Sequence, residues 1–85
     1  MTPIDALWSY AEEFADKILD SNFDGSADSI IDEIVEMMSA ELNKRDQRKV
    51  MEKLESIMTF KISEGEMSKT KWDMIHAVLT ALLGL

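Results

Sequence analysis

The stretch IDALWSYAEEFADKIL, residues 4–19, decides the fold class of this chain. Its apolar side chains recur at intervals of three and four residues and therefore form one stripe along a helix. Thr2 is suited to cap this helix and Pro3 to its first position, while Asp5 favours the positive end of the helix dipole. The first helix is therefore predicted to begin at Thr2 and to run to about Leu19. Its apolar stripe consists of Ile4, Leu7, Trp8, Ala11, Phe14, Ala15 and Ile18.

The same spacing recurs in three further segments. After a helix start near Ser26 or Ala27, the second stripe consists of Ile30, Ile31, Ile34, Val35, Met38 and Leu42. The third stripe consists of Val50, Met51, Leu54, Ile57, Met58 and Ile62. The fourth follows a cap at Ser68, ends near Leu83, and consists of Trp72, Ile75, Val78, Leu79, Leu82 and Leu83. No run of alternating β-branched residues is long enough to predict a strand. The sequence therefore predicts an all-α, compact bundle of four helices.

Two of the breaks between these helices are clear, and one is not. Turn-forming residues fill 20–26 and 63–66. Asn43, with Asp46 three residues later, is suited to cap a third helix. A helix that continues through Asn43 is the alternative, and it would fuse the middle two helices into a bundle of three.

The core is predicted to contain the largest apolar side chains of the four stripes. These are Leu7, Trp8, Phe14, Ile34, Val50, Leu54, Trp72 and Leu79. Methionines on or beside the stripes are assigned to the core as well: Met37, Met38, Met51, Met58 and Met74. The alternative is that a minority of them line an interface, since adaptable Met-rich surfaces also bind partner helices. Past Ala77 the last helix is apolar nearly all round, which predicts either a central position or burial against a second chain. The length allows one domain, residues 1–85.

Composition excludes several classes of protein. The chain has no Cys and a single His, so disulfides, thiol chemistry and zinc–thiolate sites are excluded, and a reducing, cytoplasmic location fits best. The N-terminus does not resemble a secretory signal, and the most apolar stretch, residues 75–85, is too short to span a bilayer. No nucleophile accompanies His76, which is expected to be a partly buried structural residue, with Asp73 as its candidate partner. We therefore expect no enzyme activity and no cofactor.

Charge is distributed unevenly along the chain. Residues 1–42 hold eleven acids and one base, Lys17, for a net charge of −10, whereas residues 43–85 carry +2, which together give −8. Such an anionic chain is not expected to bind nucleic acid or an anionic membrane directly. A basic cluster lies in the second half, but acids alternate with it, so it is predicted to pair with the acidic helices within the fold or in a dimer. This cluster consists of Lys44, Arg45, Arg48, Lys49 and Lys53.

Six acids recur every four residues and form the first candidate site: Asp16, Asp20, Asp24, Asp28, Asp32 and Glu36. Because like charges at this spacing repel within a helix, helix stability does not explain the pattern. We interpret it as a surface that binds a basic, nucleic-acid-handling protein, which the chain would regulate or inhibit. In composition the chain resembles phage- or plasmid-encoded antagonists such as DNA mimics and anti-CRISPR proteins. The alternative is a solvated face that only confers solubility.

A calcium site is the second interpretation. Residues 20–28 resemble the first nine positions of an EF-hand loop, with Gly25 at position six. Ile31 stands where that loop needs a bidentate Glu, so affinity for calcium is expected to be weak and a polar turn is the simpler reading. The candidate ligands are Asp20, Asn22, Asp24 and Asp28. A third interpretation is a structural bundle that forms a homodimer through its apolar C-terminal helix.

Overall fold

A computed structural model describes residues 4–20 and 28–85 of the chain. Within these residues there are four helices and no strands: α1 (Ile4–Asp20), α2 (Asp28–Glu41), α3 (Lys44–Ser63) and α4 (Lys69–Leu83). The predicted all-α bundle of four helices is confirmed. Its Cα radius of gyration is 12.0 Å, the value expected of a compact chain of this length.

The four helices pack mainly as two pairs. α1 packs against α3 and α2 packs against α4, while a narrower contact joins α1 to α2. Two side-chain contacts bridge that narrower edge. Lys17 Nζ lies 3.2 Å from Glu33 Oε1, and the Tyr10 hydroxyl donates to Glu41 Oε1 at 3.2 Å. Because the later residue of α1 meets the earlier residue of α2, these two helices run antiparallel.

The core lies between the apolar stripes of all four helices. Seven of the eight residues predicted for it are buried: Leu7, Phe14, Ile34, Val50, Leu54, Trp72 and Leu79. The prediction is wrong for Trp8, which remains 39% exposed. Trp8 lies at the edge of the α1 stripe, one position on from Leu7, and so faces away from the middle of the core. Lys53 Nζ instead lies 5.2 Å from the centroid of its ring, a cation–π contact on the surface.

α4 is not central in the bundle. Trp72, Ile75, Leu79 and Leu83 are buried, whereas Met74, Val78 and Leu82 are exposed. The reason is that a four-helix arrangement covers α4 on one side, mainly with α2, and leaves the other side open. The methionine assignment therefore needs correction. Met38, Met51 and Met58 are in the core, Met37 is half-buried, and Met74 is 51% exposed.

The helix break after α2 has two polar causes. Asn43 caps α3, because its Oδ1 accepts a hydrogen bond from the Asp46 backbone N–H at 2.8 Å. Gln47 is buried, and its Nε2 donates to the carbonyls of Met38 at 3.2 Å and Leu42 at 2.8 Å. The shorter bond satisfies the Leu42 carbonyl just past the end of α2. The Met38 carbonyl also accepts a backbone hydrogen bond from the Leu42 N–H at 3.0 Å. The alternative of a fused middle helix is therefore wrong.

The two ends of α4 are also as the sequence predicts. The Ser68 side chain caps its start by accepting a hydrogen bond from the Lys71 N–H at 3.3 Å. At its end Gly84 adopts the left-handed conformation, and Lys44 Nζ donates a hydrogen bond to the Leu83 carbonyl. A lysine at this position complements the negative end of the helix dipole and ties α3 to α4. The predicted helix starts at Thr2 and near Ser26 lie outside the described residues.

Candidate functional site: an acidic surface on α1 and α2

The acidic side chains that the structure describes on α1 and α2 are all exposed to solvent. In these two helices, as far as they are described, Lys17 is the only basic residue, and it is paired with Glu33. Where α1 contacts α2, Glu13 of one helix and Glu41 of the other line the same groove. We call the exposed acids of both helices together the acidic surface, and it consists of Glu12, Glu13, Asp16, Asp20, Asp32, Glu33, Glu36 and Glu41.

Four of the six acids in the four-residue repeat belong to this surface. Asp16 and Asp20 are exposed on α1, and Asp32 and Glu36 are exposed on α2. Asp24 and the side chain of Asp28 lie outside the part of the chain that the structure describes. The repeat is thus not a single row on one helix. It passes from α1 to the antiparallel α2, and the two pairs of carboxylates lie on neighbouring helices.

An open groove lies between the two helices of the acidic surface. It has a volume of about 300 Å³ and is lined by Ala6, Ser9, Tyr10, Glu13, Met37 and Glu41. A second depression of about 360 Å³ adjoins it over α2, and the two share Met37 and Glu41. Half-buried Met37 therefore forms an apolar patch bordered by carboxylates from both helices.

The surroundings of Tyr10 in this groove raise the pKa of its phenol. Desolvation by burial raises the pKa of the Tyr10 phenol above its ordinary value of 10.0. The hydrogen bond to Glu41 and the negative charges of Glu41 and Glu13 raise the pKa of Tyr10 further. The phenol therefore remains a neutral donor to Glu41 well beyond neutral pH.

Four acids of the acidic surface lie outside the predicted four-residue repeat: Glu12, Glu13, Glu33 and Glu41. Glu33, Met37 and Glu41 follow one another at four-residue spacing, so they share the edge of α2 that faces α1. That spacing is visible in the sequence. The identity of the helix that it faces is not, because the pairing of α1 with α2 depends on how four stripes close around one core.

The calcium interpretation remains untested by the structure. Asn22, Asp24 and the side chain of Asp28 lie outside the described residues, and Asp20 is exposed. Among the described residues no group of three or more His, Asp or Glu side chains is arranged to hold a metal ion.

Within the single chain, the described residues show no ion pair between the basic cluster and the acids of α1 and α2. Pairing in a dimer stays a prediction. Lys44 bonds the Leu83 carbonyl and Lys53 covers Trp8, so two of the five bases serve other contacts. Lys53 does reach α1, but there it meets the Trp8 ring and not a carboxylate.

His76 is half-buried, as the sequence predicts, and its ring packs beside that of Trp72. Its ring centroid lies 5.4 Å from that of Trp72. Its candidate partner Asp73 instead accepts a hydrogen bond from Lys69 at 3.1 Å. Lys69 lies one turn earlier on the same exposed side of α4, so the Asp–His pair does not form.

Comparison with known proteins finds no match to a protein-family model, to a curated protein or to a solved structure. None of the described helices combines the length and the apolar character needed to cross a bilayer.

Proposed function

We propose that this protein is a small cytoplasmic interaction module, not an enzyme, that regulates or inhibits a basic, nucleic-acid-handling protein by binding it through the acidic surface. One observation carries the proposal. Eight exposed carboxylates lie on two adjacent antiparallel helices, with Lys17 as the only base in the described part of those helices. Their joint field attracts a cationic partner and repels an anionic one.

The spacing of the carboxylates favours a partner that normally binds nucleic acid. DNA carries about one charge per 1.7 Å of helix axis. A helix with an acid at every fourth residue carries one per roughly 6 Å of its own axis. Two such helices side by side double the density of negative charge, which supports the interpretation as a DNA mimic. The protein would then compete with nucleic acid for the partner's basic channel or groove, as phage- or plasmid-type antagonists do.

The groove between α1 and α2 supplies a second point of attachment for such a partner. A lysine or arginine side chain has an apolar stem and a charged end. The stem suits the apolar patch formed by Met37, and the charged end suits the carboxylates of Glu13 and Glu41 beside it. Charge-assisted hydrogen bonds of this kind are stronger than neutral ones.

The test compares three forms of the protein as baits for affinity purification with quantitative mass spectrometry. The first is wild type, and the second carries Asp16→Lys, Asp32→Lys and Glu36→Lys. The third is a matched control in which three exposed acids of the second half are reversed: Glu52→Lys, Glu55→Lys and Glu64→Lys. Each reversal adds two positive charges, so both variants carry −2 instead of −8.

We expect wild type and the control to retain the same basic, nucleic-acid-binding protein, and the acidic-surface variant to lose it. A labelled oligonucleotide bound to that protein should be displaced by wild type and not by the acidic-surface variant. Circular dichroism checks that all three forms keep their helices, which we expect because exposed charges contribute little to stability. Equal capture by all three forms would show that the acidic surface only confers solubility.

A further inference from the structure

The side of α4 that faces away from the core is exposed and apolar. Met74 is 51% exposed, Val78 42% and Leu82 55%, and Ala77 and Ala81 are exposed beside them. We call these five residues the α4 outer face. Residues 74–85 contain no Asp, Glu, Lys or Arg, so this part of α4 carries no charged side chain at neutral pH.

The fold of the single chain does not require this apolar face. Ile75, Leu79 and Leu83 already fill the side of α4 that packs into the bundle. Contiguous exposed apolar side chains on a small protein mark an interaction surface. A basic partner drawn to the acidic surface would gain little from an uncharged helix face, so this face calls for a different occupant.

We propose that the α4 outer face is the contact between two copies of this chain, with the two α4 helices packed antiparallel. Met74, Val78 and Leu82 recur every four residues and form a ridge, and Ala77 and Ala81 form a shallow row beside it. Ridges at this spacing pack into the grooves of a second helix. In the antiparallel arrangement the ridge of each copy enters the alanine row of the other.

The order of residues along the ridge makes it self-complementary. Met74 and Leu82 lie equally far on either side of Val78. A two-fold axis beside Val78 therefore places the Val78 side chains of both copies together and sets Met74 of one copy against Leu82 of the other. A closed two-fold contact uses the same surface on both copies, as this one does.

Charge permits the same arrangement. The five side chains of the α4 outer face are uncharged, so their contact adds no like-charge pair although each chain carries −8. The two ends of α4 are already served within the chain, since Lys69 pairs with Asp73 and Lys44 donates to the Leu83 carbonyl.

The size of the α4 outer face sets the expected affinity of the dimer. α4 has 15 residues and is therefore about 22 Å long. One such helix pair covers less than the roughly 800 Å² per partner of a standard stable interface. The dimer should therefore be reversible and concentration-dependent, with a dissociation constant in the micromolar range.

Sedimentation velocity of the full chain over a concentration series tests the proposal. The mass of wild type should rise from one chain to two, and Val78→Lys should raise the dissociation constant at least about tenfold because it buries an unpaired ammonium group. Phe60→Lys is the matched control, since Phe60 is an equally apolar side chain, 59% exposed, on α3. It should dimerise as wild type does, and so should the acidic-surface triple variant.

A cross-linking experiment tests the antiparallel geometry, because the chain contains no natural cysteine. Under mild oxidation Val78→Cys should form a disulfide-linked dimer at least about ten times faster than Phe60→Cys, since only the former holds its two thiols beside each other. Wild type that stays at the mass of one chain at every concentration would overturn the proposal. So would a Val78→Lys variant, helical by circular dichroism, that dimerises like wild type, or equal cross-linking of the two cysteine variants.

Discussion

The acidic surface of α1 and α2 and the outer face of α4 are both exposed, and neither is needed to fill the core, yet their chemistry is opposite. The first consists of carboxylates around half-buried Met37. The second consists of Met74, Val78 and Leu82 with two alanines, and no charge. Charge acts over a distance and mainly raises the rate of encounter, whereas apolar contact acts only once water is excluded.

The two surfaces differ in how their exposed residues relate to the core. Apart from Trp8 and Met37 at the edges of their stripes, the large exposed side chains of α1 and α2 are mainly acidic, so we expect their outer sides to act mainly through charge. α4 has more apolar surface than the bundle covers. Excess carboxylates are compatible with a solvated surface, whereas excess Met, Val and Leu on one side of a helix are the basis for our proposal of a contact with another chain. The following predictions test that difference.

The largest expected effect is the difference in unfolding free energy between substitutions of a buried and of an exposed methionine. Met58 is wholly buried and Met74 is 51% exposed. Met58→Ala should lower the free energy of unfolding by about 2–5 kcal/mol, because it leaves a cavity in the core. Met74→Ala should change it by no more than about 0.5 kcal/mol at concentrations where the chain is monomeric. Urea denaturation followed by circular dichroism measures both. Similar losses for the two variants would mean that the outer face of α4 belongs to the core.

Salt should weaken binding at the acidic surface but not at the α4 outer face. The rate of association with the basic partner should fall about tenfold between low and physiological salt, because screening weakens the attraction to the acidic surface. Dimerisation through α4 should be unchanged or slightly strengthened, since salt does not screen apolar contact. Stopped-flow association and sedimentation velocity in the same buffers measure the two responses. Parallel salt dependence would show that one surface serves both contacts.

A smaller effect concerns the charge around the groove. The chain contains one tyrosine, so its alkaline ionisation can be followed by ultraviolet absorbance without interference from another. The pKa of Tyr10 should lie above 10.0, and Glu41→Gln should lower the pKa of Tyr10 towards that value by removing a negative charge. The stability contributed by the neutral phenol is complete below the unfolded pKa and is lost as pH rises through the raised folded pKa. An unchanged midpoint in Glu41→Gln would argue against the negative field in the groove.

The smallest expected effect is that of calcium. The loop that resembles an EF-hand lacks the bidentate Glu, and Ile31 at that position is buried. Millimolar calcium should therefore raise the melting temperature no more than magnesium does, because the site lacks two of its ligand oxygens. A rise of several degrees with calcium alone would make the first loop a metal site and change the interpretation of the adjoining acids.

Local pattern was sufficient to predict the helices and most of the core. The three- and four-residue spacing around Phe14 and Leu54 placed both side chains in the core, and both are wholly buried. Ser68 and Asn43 were recognised as caps because a side-chain oxygen at a helix start satisfies a free backbone N–H. These features depend on residues within a few positions of one another, which is why the sequence carries them directly. The distribution of charge between the two halves is likewise a property of the sequence alone.

The tertiary structure alone decided which helix faces meet and which remain open. The contacts of Lys17 with Glu33 and of Tyr10 with Glu41 bridge α1 and α2, and they join residues 16 and 31 positions apart. The same packing of the four helices leaves Trp8 exposed at the edge of its stripe and one side of α4 exposed. Periodicity shows that a helix has an apolar side, but not how many neighbours will cover it. That number follows from how four helices of fixed length share one small core.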